Sequence, residues 1–295
     1  MLRSVSAATF SVSDFDASYA MLASVYNYGL CSEGVVTEAL AEFWNAPKVA
    51  GARFAVLAPA SGENVCIRLV EQPATPGYEP LKTFGWNAAE LHVRDVHKLA
   101  GTLAETPLTI LGGPRDLLGN GAAVALQVLG PSGEVFYLTE INGNNMQRTY
   151  GKAESTVGRL FIAVLGASNH GASRNFYAPL TKGTPRPRRF AIRVLAAAHG
   201  LNPHGTRFTV GSAVLEEQFR IEIDGYPESA ITRPQSKGYL PPGLCLVSFN
   251  TAALSLSPYE PERCTDGLRE APYFGRPVQI LYGPDGEWLE LIEGT

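Results

Sequence analysis

The feature that most constrains the fold is a turn between alternating apolar residues, which occurs twice in the chain. The first copy, VALQVLGPSGEVFYLTEI over residues 124–141, has Gly-Pro-Ser-Gly at its centre. The second, VQILYGPDGEWLELI over residues 278–292, has Gly-Pro-Asp-Gly. Gly tolerates positive φ, Pro presets φ, and Asp or Ser bonds to nearby backbone, so both centres predict tight turns. Because the flanks alternate with a period of two, each copy predicts a β-hairpin.

The hairpins belong to a longer repeat that relates the two halves of the chain. The hairpins match at a spacing of 153 residues, and a spacing of 154 matches the preceding segments. The pairs at 154 are Arg53 with Arg207, Glu63 with Glu217, and Ile67 with Ile221. Agreement of charged, apolar and turn residues at nearly one spacing indicates a duplication. The pattern in each half predicts two modules, and each module consists of one strand, one helix and three further strands.

A polar segment separates the two halves. Residues 142–155, NGNNMQRTYGKAES, are rich in Gly and Asn and show no apolar periodicity, which is typical of a linker. We therefore predict a first domain over residues 1–141, a linker over 142–156 and a second domain over 157–295.

Composition excludes several classes of partner. The chain is 45% hydrophobic and 18% charged, as in an ordinary globular protein, and its net charge of −4 argues against binding to nucleic acid. No apolar run is long enough to span a membrane, so we expect no membrane partner. The four cysteines form no C-x-x-C motif, which favours free thiols in a reducing cytoplasm.

The repeated βαβββ pattern, with the Gly-Pro-Ser/Asp-Gly turn before Tyr137 or Glu290, resembles the vicinal oxygen chelate superfamily of glyoxalases, bleomycin-resistance proteins and extradiol dioxygenases. Four modules in 295 residues look most like the type I extradiol dioxygenases. The resemblance implies an α+β fold in which four βαβββ modules pair into two half-barrel domains. It does not fix the reaction, because this fold carries lyases, isomerases, dioxygenases and drug-sequestering proteins.

The resemblance also implies a divalent metal held by His and Glu from the first and last strands of the modules. Glu290 matches the last-strand glutamate, and its apolar neighbours predict that it points inward. The predicted first strands, GRLFIAV from residue 158 and GLCLVSF from residue 243, contain no His, and Tyr137 replaces the glutamate of the first half. The resemblance also implies a tyrosine before the last-strand glutamate, and Ile280 occupies that position in this chain. We therefore predict no cofactor and no metal ligands of the usual kind, and expect no ring cleavage unless the ligands have moved.

A second polar pattern lies in the second half. Residues 218–223, QFRIEI, place Gln218, Arg220 and Glu222 on one strand face and apolar residues on the other. If the apolar face packs on helices, the polar face lines the half-barrel. We expect four catalytic residues to converge there: Glu290, Arg220, Glu222 and Arg207. An Arg can bind a carboxylate or enolate, and a desolvated Glu can act as a general base. The alternatives are an internal ion-pair network and a solvated outer face.

Six further side chains lie near these positions and are predicted to contact substrate. They are Trp288, Ser248, Tyr282, His204, Tyr137 and His92. No histidine belongs to a recognisable Ser-His-Asp or Cys-His arrangement.

Three functions remain open. The first is a metal-independent lyase or isomerase that acts on a small oxygenated catabolite, aromatic or aliphatic, by Glu/Arg acid–base chemistry. The second is a small-molecule binding protein of the bleomycin-resistance type. The third is a metal-dependent extradiol-type dioxygenase with relocated ligands, for instance Glu290 with His204 or Glu222. We expect a homo-oligomer in which the C-terminal half, which keeps Glu290, is the active one.

Overall fold

A computed structural model of the chain describes residues 1–294. It contains sixteen strands in two curled eight-stranded sheets, with short helices packed against them. This confirms the predicted α+β class and the pairing of four βαβββ modules into two half-barrels. Among the described residues, no helix is both long and apolar enough to cross a membrane.

The first half of the chain contains modules one and two. The strands of module one are β1 to β4, at Leu2–Val12, Tyr28–Val35, Arg53–Pro59 and Cys66–Glu71, and its helices are α1 at Phe15–Ala20 and α2 at Glu38–Phe43. Module two contains β5 to β8, at Gly85–Val93, Thr109–Asp116, Ala123–Leu129 and Val135–Ile141, and helix α3 at Val96–Ala104. Asp14 caps α1 and Asp95 caps α3, because each carboxylate accepts a backbone N–H of the first turn.

The second half repeats this plan. Helix α4 at Asn144–Tyr150 lies inside the segment predicted as a linker. Module three contains β9 to β12, at Val157–Ala167, Arg188–Phe190, Phe208–Val214 and Arg220–Gly225, and helices α5 at His170–Tyr177 and α6 at Arg193–Ala198. Module four contains β13 to β16, at Gly243–Thr251, Arg263–Thr265, Val278–Tyr282 and Trp288–Glu293. A single short 3₁₀ turn, Leu254–Leu256, follows β13 where the other modules have a helix.

The two sheets do not correspond to the two halves of the chain. The sheet that we call the terminal sheet joins modules one and four in the order β14-β15-β16-β13-β1-β4-β3-β2. The central sheet joins modules two and three in the order β10-β11-β12-β9-β5-β8-β7-β6. The expectation that residues 1–141 and 157–295 each close their own half-barrel is therefore wrong.

The crossovers explain this pairing. The connection after module one and the connection after module three run side by side, because Phe84 N donates to Ile231 O at 3.0 Å and Ile231 N donates to Lys82 O at 3.0 Å. Each connection carries the chain from one sheet to the other. The first strand of each module could pair through the same edge with the first strand of several other modules. The alternation of its side chains therefore cannot identify which module is the partner.

The largest apolar cluster lies between the outer faces of the two sheets, with α1, α3 and α5 packed into it. Phe219, Ile221 and Ile223 belong to this cluster, so the apolar face of β12 packs as predicted. The opposite, concave face of each sheet has its own smaller cluster and carries the polar side chains described next.

Candidate functional site

The concave face of the terminal sheet holds a buried ion pair. Glu290 in β16 is 0% exposed and Arg68 in β4 is 1% exposed, and Arg68 Nη2 lies 3.2 Å from Glu290 Oε2. The prediction that Glu290 points inward is confirmed. A buried ion pair contributes to stability only when further hydrogen bonds satisfy both charged groups.

Those further bonds are present. Three groups besides Arg68 donate to the Glu290 carboxylate: Ser248 Oγ at 2.5 Å, Trp44 Nε1 at 2.7 Å, and the Tyr273 hydroxyl. Arg68 also donates to Thr9 Oγ1 and to Tyr273 Oη, both at 2.9 Å, and its guanidinium lies over the Trp44 ring. The chain itself therefore fills this half-barrel, and Glu290 has no free face for a substrate.

The concave face of the central sheet carries different residues at equivalent strand positions. The repeat spacings place Glu222 where the terminal sheet has Arg68, and Tyr137 where it has Glu290. Glu90 occupies the position of Ser248. Asp224 follows Glu222 on the same face of β12, because side chains two residues apart in a strand point the same way. We call Glu90, Glu222 and Asp224 the acidic floor.

The acidic floor has no cationic partner among residues 1–294. Glu90 is 7% exposed and accepts one hydrogen bond, from Thr139 Oγ1 at 2.6 Å. Burial raises the pKa of Glu90 to about 7. Burial also raises the pKa of Glu222 and of Asp224 well above the ordinary carboxyl values, and the neighbouring carboxylates raise both further. Glu222 is half-buried, so it keeps some contact with solvent.

The other end of the central concave face contains Arg220 and His92. The Arg220 guanidinium lies 4.6 Å from the centroid of the Tyr150 ring, and Arg220 is half-buried. His92 stacks on Phe161 with ring centroids 3.8 Å apart, and its Nε2 lies 3.0 Å from Tyr150 O. Burial lowers the pKa of His92 to about 3, so the imidazole is neutral and serves as a packing residue at neutral pH.

The predicted catalytic residues do not converge on one cavity. Glu290 belongs to the terminal sheet, whereas Arg220 and Glu222 lie on the concave face of the central sheet. Arg207 is exposed just before β11. The expectation of a shared cavity is wrong because β16 and β12 belong to different sheets.

The predicted substrate-binding residues are divided in the same way. Tyr137, 7% exposed, and His92 lie on the concave face of the central sheet. Ser248 is used by the Glu290 network, Trp288 is buried against Tyr282, and His204 is exposed in the loop before β11. Sequence reasoning missed Arg68 and Asp224. The signal for Arg68 was a charged residue inside the apolar strand CIRLVE, at the repeat position of Glu222.

Neither concave face provides the donor set that the metal of this fold would require. In the terminal sheet the four central strand positions are Thr9, Arg68, Ser248 and Glu290, and a guanidinium occupies the centre. In the central sheet they are Val164, Glu222, Glu90 and Tyr137. Over residues 1–294, no three His, Cys, Asp or Glu side chains are grouped so that they could hold one metal ion. The residues of the two concave faces therefore do not fit a divalent metal centre of the usual His and Glu ligands.

Comparison with known proteins identifies the fold. No protein-family model and no curated protein sequence matches this chain. Among solved structures, glyoxalase I from Zea mays matches with a TM-score of 0.60 and 16% identity, over 98% of this chain and 92% of that chain. A candidate dioxygenase from Bacillus subtilis matches with a TM-score of 0.63 and 10% identity, over 99% of this chain and 85% of that chain. At these identities the likeness shows the fold alone.

Proposed function

We propose, from the premise that the chain belongs by its fold to the vicinal oxygen chelate superfamily, that the concave face of the central sheet binds a small oxygenated molecule and transfers protons on it with carboxyl groups. The activity would be that of a metal-independent lyase or isomerase. Of the two concave faces, the central one is assigned this role because Glu290 of the terminal sheet is saturated by its own network.

One observation carries this proposal: three carboxyl groups share a concave face, and none of them forms an ion pair in the described part of the chain. A structural ion pair would place a cation beside them, as Arg68 is placed beside Glu290. Burying carboxyl groups together without a cation is costly, and such groups are concentrated at functional sites. The cost is explained if these groups act on a ligand.

The pKa values divide the roles. Glu90, with a pKa of about 7, exists in both forms at neutral pH, so it can remove a proton and return it. Burial and the neighbouring Asp224 carboxyl raise the pKa of Glu222 well above the ordinary value, which favours its protonated form and suits it to act as the proton donor. In an isomerisation, a proton would pass from a carbon next to a carbonyl to Glu90, and the carbonyl oxygen would take the Glu222 proton. In an α-hydroxy carbonyl substrate this gives an enediol. Glu90 would then protonate the former carbonyl carbon, and the hydroxyl on the neighbouring carbon would return its proton to Glu222 and become the new carbonyl.

Arg220 would bind the anionic part of the substrate. Its side chain is half-buried, and its Nε has no hydrogen-bond partner within residues 1–294. A guanidinium held over an aromatic ring has a fixed orientation, so it is well suited to donate hydrogen bonds to a carboxylate or enolate oxygen. This proposal keeps two of the predicted catalytic residues, Arg220 and Glu222. Glu90 takes the place of Glu290 as the general base.

Hydrogen–deuterium exchange tests the proposal without knowledge of the natural substrate. 2-Hydroxyacetophenone and dihydroxyacetone are incubated with the protein in D₂O, and loss of the carbon-bound proton next to the carbonyl is followed by ¹H NMR. We expect exchange above the buffer rate with the natural chain and a loss of about 10²-fold or more in Glu90→Gln, as for removal of a general base. Glu140→Gln, on the same hairpin strand as Tyr137 and outside the acidic floor, is the matched control and should exchange normally.

Three results would contradict the proposal. Exchange no faster than buffer for both ketones, with a correctly folded protein, would remove the assigned chemistry. Exchange that survives Glu90→Gln but is lost in Glu290→Gln would move the site to the terminal sheet. Binding of the ketones without any exchange would instead support a sequestering role, and would equally refute proton transfer.

A further inference from the structure

One end of the acidic floor contains buried oxygen atoms that have no hydrogen-bond partner in the described chain. Asp224 is 1% exposed, and neither of its carboxylate oxygens has a hydrogen-bond partner in residues 1–294. Asn87 is 2% exposed, and its Oδ1 is likewise without a partner there. Buried acceptors of this kind are rare, and each requires an explanation.

The strand register brings these acceptors together. Gly166 in β9 is the direct neighbour of Asp224 in β12. A Cβ added to Gly166 would lie 2.6 Å from Asn87 Nδ2 and 2.8 Å from Tyr226 Cζ. Asn87 and Tyr226 therefore lie over Gly166, beside Asp224, and the missing side chain is what makes room for them.

The Asn87 amide is oriented by the backbone. Its Nδ2 donates to Thr83 O and Gly85 O, both at 2.9 Å, so both N–H bonds are used and Oδ1 is left as an acceptor. This orientation makes Asn87 an observation separate from the acidic residues.

We propose that the substrate of this site carries a protonated amine, which binds at the Asp224–Asn87 end of the acidic floor. This inference rests on the proposed function, and names the class of its substrate. An ammonium group has three N–H donors, and the two Asp224 oxygens with Asn87 Oδ1 supply three acceptors. A bound cation lowers the pKa of neighbouring carboxyl groups, so Asp224 would hold the ammonium group in its ionised form although burial raises its pKa in the free chain. The neighbouring Tyr226 ring is the kind of surface that attracts a cation.

Other occupants explain the arrangement less well. A metal ion needs its ligands at one short distance from a single point, and no such group of acidic side chains exists in the described chain. A water molecule could satisfy two acceptors but would leave the charge uncompensated. The three N–H groups of an ammonium group point in different directions. They can therefore donate to acceptors that do not lie at one distance from a single point.

The opposite end of the face suits the rest of such a molecule. Arg220 lies four residues before Asp224 on β12, which corresponds to about 13 Å along a strand. Glu90 and Glu222 lie between these ends. A molecule with an ammonium group at one end and an oxyanion at the other would therefore place its central carbons beside the two proposed proton-transfer groups.

Benzylamine and benzyl alcohol form a matched pair of probes, because they have nearly the same shape and differ in charge and in donor number. Binding is measured by isothermal titration calorimetry at pH 7, with the Asn87 side-chain amide signal followed by ¹⁵N NMR. We expect benzylamine to bind about tenfold more tightly than benzyl alcohol, as for a hydrogen bond to a charged group, and to shift the Asn87 signal. Asp224→Asn should remove this preference, and Asp266→Asn, an exposed acidic residue, should keep it.

Equal affinities for the two probes, or a preference that survives Asp224→Asn, would overturn the inference. Asp224→Asn replaces the carboxyl group by an amide of the same size, and the NMR spectrum verifies that the variant is folded. The two proposals fail separately. Exchange that depends on Glu90 without an amine preference refutes only the substrate class, whereas an amine preference without exchange refutes only the proton transfer.

Discussion

The two concave faces are copies of one design with opposite electrostatic outcomes. In the terminal sheet, Arg68 faces Glu290 and every charged group has a partner. In the central sheet, the repeat position of Arg68 is Glu222, and Glu90 replaces Ser248, so the cation is lost and carboxyl groups accumulate. A substitution between arginine and glutamate at one strand position thus separates a face whose charged groups are paired from a face whose carboxyl groups form no ion pair among the described residues.

The coverings of the two faces follow the same division. The terminal face is closed by Trp44, at the end of α2, and by Tyr273, from the loop before β15, and both bond to Glu290. On the central face, the equivalent helix α6 contributes Val194, which packs with apolar residues and offers no hydrogen bond. In the terminal sheet the covering elements therefore belong to the polar network, whereas in the central sheet they only adjoin it.

The largest expected effect tests the terminal face as core. Arg68→Met should lower the free energy of unfolding by about 3–5 kcal/mol, because it leaves the buried Glu290 carboxylate without its cation. Urea denaturation followed by tryptophan fluorescence measures this change. Arg53→Met is the matched control in the adjacent strand: Arg53 pairs with Asp16 and Glu71 at the surface, and its loss should lower the free energy of unfolding far less than the loss of Arg68.

A double variant separates charge from packing. Arg68→Met combined with Glu290→Met removes both charges and should recover much of the lost stability, since replacing a whole buried ion pair by apolar residues is often neutral. A double variant as unstable as Arg68→Met alone would mean that the arginine acts mainly through its contacts with Trp44 and Tyr273. The distinction between a charge-matched and a charge-unmatched face would then fail.

The second prediction concerns the pH dependence that only the central face should show. The pKa of Glu90 is about 7 in the folded chain and about 4.5 for an ordinary glutamate. Between these values the folded state holds a proton that the unfolded state has released, so the Glu90 contribution to stability is lost as pH rises through this window. The loss amounts to about 3 kcal/mol.

Urea denaturation at pH 5 and pH 8 measures this loss. Other groups titrate too, including Asp224 and Glu287, so the informative quantity is the difference between the natural chain and Glu90→Gln. We expect the variant to be relatively more stable at pH 8 than at pH 5. A difference that does not change with pH would show that Glu90 is ionised normally, and the acidic floor would lose its proton-transfer group.

Sequence patterns predicted the modules correctly because the signals are local. The period-two alternation around the two Gly-Pro turns gave both hairpins, and the same alternation placed Arg220 and Glu222 on the face opposite Phe219 and Ile221. The pairing of modules was not predicted. It depends on which first-strand edges meet, and β1 with β13 and β5 with β9 use edges that look alike in sequence.

The site was only partly predictable for a related reason. The inward position of Glu290 followed from its strand register, but its partner Arg68 lies 222 residues away in the chain. Charge complementarity between distant strands cannot be read before the strand order is known. The acidic floor shares this difficulty, because Glu90 and Glu222 come from different modules and look like isolated glutamates in their own strands.

The smallest effect compares one hydroxyl on each face. Ser248→Ala removes one of four groups that donate to Glu290, and should cost about 1.5 kcal/mol or more because the acceptor is a buried carboxylate. Thr139→Val removes the single hydrogen bond to Glu90, yet should cost less, about 1 kcal/mol, because Glu90 can take up a proton instead.

The signature of Thr139→Val is therefore a titration rather than a loss of stability. The Thr139 hydroxyl holds the pKa of Glu90 down to about 7, so its removal should raise that pKa, as read from the ¹³C signal of the Glu90 carboxyl group. If Thr139→Val instead destabilises the chain as much as Ser248→Ala and leaves the Glu90 titration unchanged, then Glu90 is bound as firmly as Glu290. In that case the two concave faces would differ in composition but not in kind, because each would hold its carboxylate as part of a fixed core.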